Sequence, residues 1–214
     1  MTITELPYGP KALIFQVAEQ PSRELTLRLE YLAQRLSALP FVQEARISYS
    51  ELLVIATSTN AVNFVRNELD EIINKTASVD VLPKLKNHLE IQVSYSGPDM
   101  ESVMKQTGLA LHEVIQLHTS QTYTVHALGF QPGFAFLGTL PPQLQLPRKA
   151  MPRKRVPPNS VAIAADQTAI YPHASPGGWH LIGIAQQPVF DLSSDNLSVF
   201  QPGDTVQFID ADKR

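Results

Sequence analysis

The hydrophobic pattern of this chain changes period several times, and each change marks an element. ALIFQVA (12 to 18) is a short apolar run of strand type. Pro21-Ser22 then opens a helix with Ser22 placed as N-cap. Leu25, Leu29, Leu32, Leu36 and Leu39 recur at helical spacing and put one apolar stripe against a sheet. FVQEARISYS (41 to 50) and LLVIAT (52 to 57) read as a hairpin. Asn60 begins a second helix whose inward side carries Val62, Val65, Leu69, Ile72 and Ile73. HLEIQVSY (88 to 95) is available as one more strand. The order strand, helix, two strands, helix predicts a small ferredoxin-like α+β layer. Nothing in it carries evident chemistry.

Beyond Pro98 the pattern gives two short helices, 99 to 107 and 110 to 119, separated by Gly108, a natural helix stop. They read as a helical connector over 98–120. From Tyr123 onward the runs are strand-like: TYTVHALGF (122 to 130), SVAIAADQTAIYP (160 to 172), WHLIGIA (179 to 185) and DTVQFID (204 to 210). Short strands between Pro/Gly turns favour a closed β-barrel or sandwich over a βαβ fold. Backbone punctuation agrees. Nine of the 10 glycines lie from Gly97 onward, and 11 of the 17 prolines lie between Pro132 and Pro202. The expected division is an N-terminal α+β domain, 1–88, and a C-terminal β-barrel domain, 89–214.

Composition narrows the function classes. At 214 residues, 43% hydrophobic and 17% charged with net charge −3, the chain has the balance of an ordinary globular protein. No apolar run reaches the roughly 20 residues of a membrane helix, and MTITELPYGP lacks the basic and apolar regions of a signal peptide. A cytoplasmic protein without membrane contact is expected. The absence of cysteine excludes a disulfide framework, a thiolate nucleophile and Cys-containing zinc sites.

RKAMPRKR (148 to 155) holds five of the eight Lys and Arg residues after position 88, leaving 12 basic against 20 acidic residues elsewhere. Such a loop suits phosphate or carboxylate, since an Arg fork matches both in bidentate geometry. A solvated or salt-bridged loop fits the same string equally well. Nucleic acid is disfavoured by the acidic remainder and the lack of interleaved aromatics. GFQPGFAFLG (129 to 138) packs three Gly, one Pro and three Phe into ten residues, which is either a buried loop or a binding surface. SPGGWH (175 to 180) turns tightly and delivers the only Trp. No two histidines stand at i and i+4, so a metal site has no support from spacing, and His118 and His126 are expected to pack or cap. Asp166 and Asp191 are turn residues or substrate-orienting groups. GxxxxGK[ST], GxGxxG and GxSxG are all absent.

HTSQTYTVHALGFQPGFAFLG, followed by PRKAMPRKRVPPNSVAIAADQTAIYPHASPGGWHLIG and VFD, resembles the family known variously as the B subunit of 5-oxoprolinase, KipI-type kinase inhibitor or allophanate hydrolase subunit 1. That resemblance implies a cyclophilin-like β-barrel after the α+β module. It also implies two partners, a carboxyltransferase-like C subunit plus a LamB/YcsF-type A subunit. ATP, accompanied by magnesium, would be the co-substrate for opening 5-oxo-L-proline to L-glutamate. Carried over, GF-x-PGF falls on Gly129, Phe130, Pro132, Gly133 and Phe134, and PR-x-x-x-PR on Pro147, Arg148, Pro152 and Arg153. PGGW falls on Pro176, Gly177, Gly178 and Trp179.

The expected interface pocket is lined by Phe130, Pro132, Gly133, Phe134 and Pro176 to Trp179. Arg148 and Arg153 would bind phosphate or carboxylate there, and Gln131, Ser160 and Gln167 would supply hydrogen bonds. Arg155 is a further candidate for offsetting phosphoryl charge. No catalytic base is assignable, and no metal is expected to be held by this chain alone. The sequence departs from the family where G-R-T becomes Gly183, Ile184 and Ala185, and where usual glycines become Asn159, Ala165 and Ala169. The same resemblance admits other roles: an inhibitor of histidine kinase autophosphorylation, a component of a biotin-dependent carboxyltransferase, or an amidohydrolase with another substrate.

Overall fold

The computed structural model describes residues 2–75, 86–194 and 197–213. The chain forms two compact units, Met1–Lys86 and Asn87–Arg214.

In the first unit, β1 (Ile3–Pro7), β2 (Ala12–Val17), β3 (Val42–Ser48) and β4 (Glu51–Ala56) form a sheet in the order β1-β2-β4-β3, with every neighbouring pair antiparallel. α1 (Arg23–Ser37) crosses from β2 to β3, and α2 (Ala61–Lys75) follows β4. This is the split βαβ arrangement of the ferredoxin-like layer, with the edge beside β2 taken by β1. Ser22 caps α1 by accepting the Leu25 amide at 3.1 Å. Leu25, Leu29, Leu32 and Leu36 then meet Leu13, Phe15, Leu52 and Val54 of the sheet and Val65 and Leu69 of α2 in one core. Arg66 of α2 grips both carboxylate oxygens of Glu5 on β1, which holds the Glu5 carboxyl below its usual range. The strand that 88 to 95 offered to this layer belongs to the second unit instead.

That second unit is a closed seven-stranded barrel. Its strands are β5 (His88–Ser94), β6 (Thr122–Leu128), β7 (Ala135–Gly138), β9 (Ser160–Ala164), β10 (Gln167–Ile170), β12 (His180–Ala185) and β13 (Thr205–Asp210), with a separate pair formed by β8 (Arg153–Val156) and β11 (Ser175–Gly177). The cyclic order is β10-β7-β6-β13-β5-β12-β9. β5 closes it by running parallel to β13, which no local pattern could announce.

Side chains alternate across the barrel wall. Ile91, Val93, Tyr123, Val125, Leu137, Val161, Ile163, Ile170, Ile182, Val206 and Phe208 come from all seven strands and share one cluster, so they fill the interior. Met100 and Val103 of α3 (Met100–Thr107) and Val114 of α4 (Leu111–Thr119) join that cluster. The segment expected to be a connector is therefore part of the barrel core. On the other wall face, Ala162 and Ala164 of β9, Ala169 of β10 and Leu181 of β12 pack with Phe134, Phe136, Tyr171 and Trp179. The small alanines leave room for those rings. No helix among the described residues is long and apolar enough to cross a membrane.

Candidate functional site

Five rings meet on this outer face. Phe134 is the hub, with ring centroids 5.3 Å from Phe130, 4.9 Å from Phe136, 5.2 Å from Tyr171 and 5.8 Å from Trp179, all edge to face. Between them opens a cavity of about 260 Å³, completed by Arg148, Pro152, Pro176, Gly177 and Gly178. The Arg148 guanidinium stands 6.0 Å from the Trp179 ring centroid, at the limit of cation–π contact. Phe130 is 65% exposed and has φ 68°, a left-handed conformation that costs free energy for a bulky side chain. The loop thus presents an aromatic ring to solvent at the cavity rim.

Two glycines are sterically required there. A Cβ on Gly177 would lie 2.3 Å from the Tyr171 hydroxyl, which accepts the Trp179 backbone N–H. Gly133, at φ 81°, would place a Cβ 2.5 Å from the Phe190 ring. Phe190 in turn packs edge-on against His173 at 4.7 Å.

The cationic loop is divided by one acid. Asp99, 3% exposed, accepts Lys149 Nζ at 2.6 Å, both Arg153 terminal nitrogens at 2.7 Å and the Leu181 amide at 2.8 Å. Burial alone would raise the Asp99 pKa, but the bonds from Arg153, Lys149 and Leu181 outweigh it and hold the group at about 2. Arg153 is therefore committed to a buried ion pair and does not line the aromatic cavity, whereas Arg148 does. Arg148 has no hydrogen-bonded or ion-paired partner among the described residues, and Lys154 and Arg155 on β8 are exposed.

The other expected site residues are scattered. Ser160 is buried and donates to the Pro157 carbonyl at 2.8 Å. Gln167 lies in β10 opposite Gly138 and Ala164. Gln131 has a buried Nε2 without a partner among the described residues, and neither it, Pro132 nor Gly133 lines the cavity. Phe130, Phe134 and Pro176 to Trp179 do converge. Sequence reasoning passed over Phe136, Tyr171 and Asp99. Strand alternation from Leu137 and Ile170 would have aimed the first two outward. Five cations in eight residues call for a counter-charge, but nothing local places it fifty residues upstream.

His118 and His126 are buried, as expected of packing groups. Thr168 donates its hydroxyl to the Ala162 carbonyl at 3.1 Å, so His118 Nε2 must donate to Thr168 at 2.9 Å and its Nδ1 accepts the Tyr95 hydroxyl at 2.7 Å. Burial pushes His118 down to about 3 and keeps it neutral. Among the described residues no three His, Asp or Glu side chains converge as a metal site.

Residues 3–200 match the family described as carboxyltransferase domain, subdomain C and D. The chain is 37% identical over 204 residues to the 5-oxoprolinase B subunit of Escherichia coli O157:H7, an alignment covering 94% of this chain and 93% of that protein. It is 46% identical over 125 residues to the 5-oxoprolinase B subunit of Haemophilus influenzae, covering 57% and 59% respectively. The crystal structure of TTHA0988 superposes on 95% of this chain with a TM-score of 0.81 at 35% identity, and this chain spans 40% of that longer one. On the family match over residues 3–200, the superposition and the near full-length similarity, the chain belongs to this carboxyltransferase-domain family, whose members include the B subunits of 5-oxoprolinases.

Proposed function

We propose that this chain is the B subunit of an ATP-dependent 5-oxoprolinase, acting with a carboxyltransferase-like C subunit plus a LamB/YcsF-type A subunit. The observation that carries the reading is the 37% identity, along almost the whole of both chains, to the B subunit of a 5-oxoprolinase. An unstrained lactam resists water. ATP can phosphorylate the lactam oxygen with loss of ADP, water adds to the activated carbon, and the C–N bond breaks to give an acyl phosphate. A second water releases phosphate and leaves glutamate.

This chain has the means to hold the acid and to form a joint, and its sequence carries neither of the classical phosphate-binding motifs GxxxxGK[ST] and GxGxxG. Arg148 is the cation at the cavity rim, suited to a carboxylate or a phosphoryl oxygen. Lys154 and Arg155 add exposed charge nearby in sequence. ATP would be held chiefly by the partner subunits, and its magnesium by the nucleotide. Phe130 and its aromatic neighbours would dock the C subunit, since exposed aromatic anchors dominate such contacts.

The test is 5-oxoproline-dependent ATP hydrolysis and glutamate release by the three subunits together, with each omitted in turn. Activity should require this chain, and Arg148→Ala should lower kcat/KM on the order of 100-fold, the scale of a lost charge-assisted contact. Full activity without this chain would refute the reading. The exposed Phe130 also fits a second role, inhibition of a histidine kinase; blocked autophosphorylation of a neighbouring sensor kinase, relieved by Phe130→Ser, would establish it.

A further inference from the structure

Arg148 and Trp179 face each other because their chain neighbours are tied together. The Lys149 amide donates to the Gly178 carbonyl at 2.7 Å, and His180 Nε2, which can only donate to a carbonyl, bonds the Pro147 oxygen at 2.9 Å. The residues on either side of Arg148 are thus joined to those on either side of Trp179, and the guanidinium is left 6.0 Å from the ring centroid. These bonds fix the backbone. The cationic side chains that flank Arg148 need a holder of their own.

Asp99 supplies it. It stands at the N-cap of α3, where an aspartate ordinarily accepts amides of its own helix, yet its side chain makes no cap bond. Each carboxylate oxygen accepts two donors from elsewhere. Oδ1 takes Lys149 Nζ and one Arg153 terminal nitrogen, and Oδ2 takes the other Arg153 nitrogen and the Leu181 amide. Lys149 follows Arg148 directly, and Leu181 is two residues beyond Trp179. One buried carboxylate therefore holds both strips of chain that carry the Arg148–Trp179 pair.

We propose that Asp99 is a positioning residue, clamping the 147–155 loop against β12 so that Arg148 is presented opposite Trp179 at the rim of the aromatic cavity. Arg148 meets the anion, and Asp99 acts only through it. The kinetic consequence rests on the oxoprolinase reading; the geometric one does not. Asp99→Asn keeps the volume, removes the charge and turns two N–H bonds toward groups that can only donate. In a double-mutant cycle on the three-subunit complex, Asp99→Asn should lower kcat/KM about tenfold or more, but less than about twofold where Arg148→Met is already present. A carboxylate that merely supports the fold would cost the same factor in both backgrounds. Lys149→Met cuts the tether beside Arg148 while Arg153 stays on Asp99, so it should repeat the result in a chain that keeps its buried ion pair.

The isolated chain gives a readout without turnover. NOEs between the Arg148 δ-methylene and the Trp179 ring should appear in the wild type and vanish in Asp99→Asn and Lys149→Met, with the amide spectrum of the barrel core unchanged. Equal factors in the two backgrounds, NOEs that persist in both variants, or none in the wild type would overturn the proposal and leave Asp99 a residue of stability alone. The oxoprolinase reading fails separately: NOEs lost as expected in a chain whose complex releases no glutamate would sink that reading and keep the clamp. Turnover by a complex whose chain keeps the NOEs in both variants would do the reverse.

Discussion

Ala165 has φ 50° and Asn159 φ 60°, and both stand where the family resemblance implies glycine. The left-handed region explains that glycine, because a Cβ there crowds the following carbonyl. Asn tolerates the conformation and Ala does not, so Ala165→Gly should stabilise the chain by about 0.5–1 kcal/mol despite the greater freedom of glycine when unfolded. A shifted urea midpoint at constant slope would show it, and no shift would mean the turn is unstrained. Arg153 makes a different kind of prediction. Removing it leaves the buried Asp99 with Lys149 and one amide, so Arg153→Ala should cost about 1–3 kcal/mol. Arg148→Ala, which breaks no ion pair, should cost within about 0.5 kcal/mol. If denaturation ranks the two variants the other way, the division of labour in the loop is wrong.

At the scale of elements, the 129–138 loop and the turn into β12 act as one aromatic unit clamped by glycines. Gly177→Ala would drive a methyl into the Tyr171 hydroxyl and disturb its bond from the Trp179 amide; overpacking of this kind costs about 1–3 kcal/mol. Because Trp179 is the only tryptophan, its fluorescence should report that displacement directly, and an unchanged spectrum would count against the packing described. β12 also relocates the chief departure from the family pattern. Ile184, where the family resemblance implies an arginine, is exposed on β12 and is not among the residues lining the aromatic cavity.

Across the whole molecule, acid should act through the buried histidines first and Asp99 later. His118 is held near 3 against 6.5 for a free imidazole, and burial lowers His126 too, so the unfolded chain takes up protons that the native state refuses. Stability is full above pH 6.5 and falls with pH, by about 1.4 kcal/mol per pH unit for each such proton, until the folded pKa is reached. Asp99, held at about 2 against 3.8, contributes stability above pH 3.8 that is lost between there and pH 2. Urea midpoints between pH 7.5 and 5 should therefore decline, and His118→Phe should remove one proton's worth of slope; an unaltered slope would contradict the buried Tyr95–His118–Thr168 chain.

The periodicity of Leu25 to Leu36, the Ser22 cap, the Gly108 stop and the alternating runs after Tyr123 determined the helices and most strands, because each depends on neighbours a few residues apart. The Phe/Gly/Pro string and the PGGW turn likewise marked the aromatic cavity. Partnership over long separations was decided only in the folded chain. β5 beside β13, α3 and α4 inside the barrel core, Asp99 between Lys149 and Arg153, and the bond from His180 to Pro147 all arise from contacts between segments distant in sequence. A string of residues states which charges exist; which of them remain free to bind depends on what the fold brings against them.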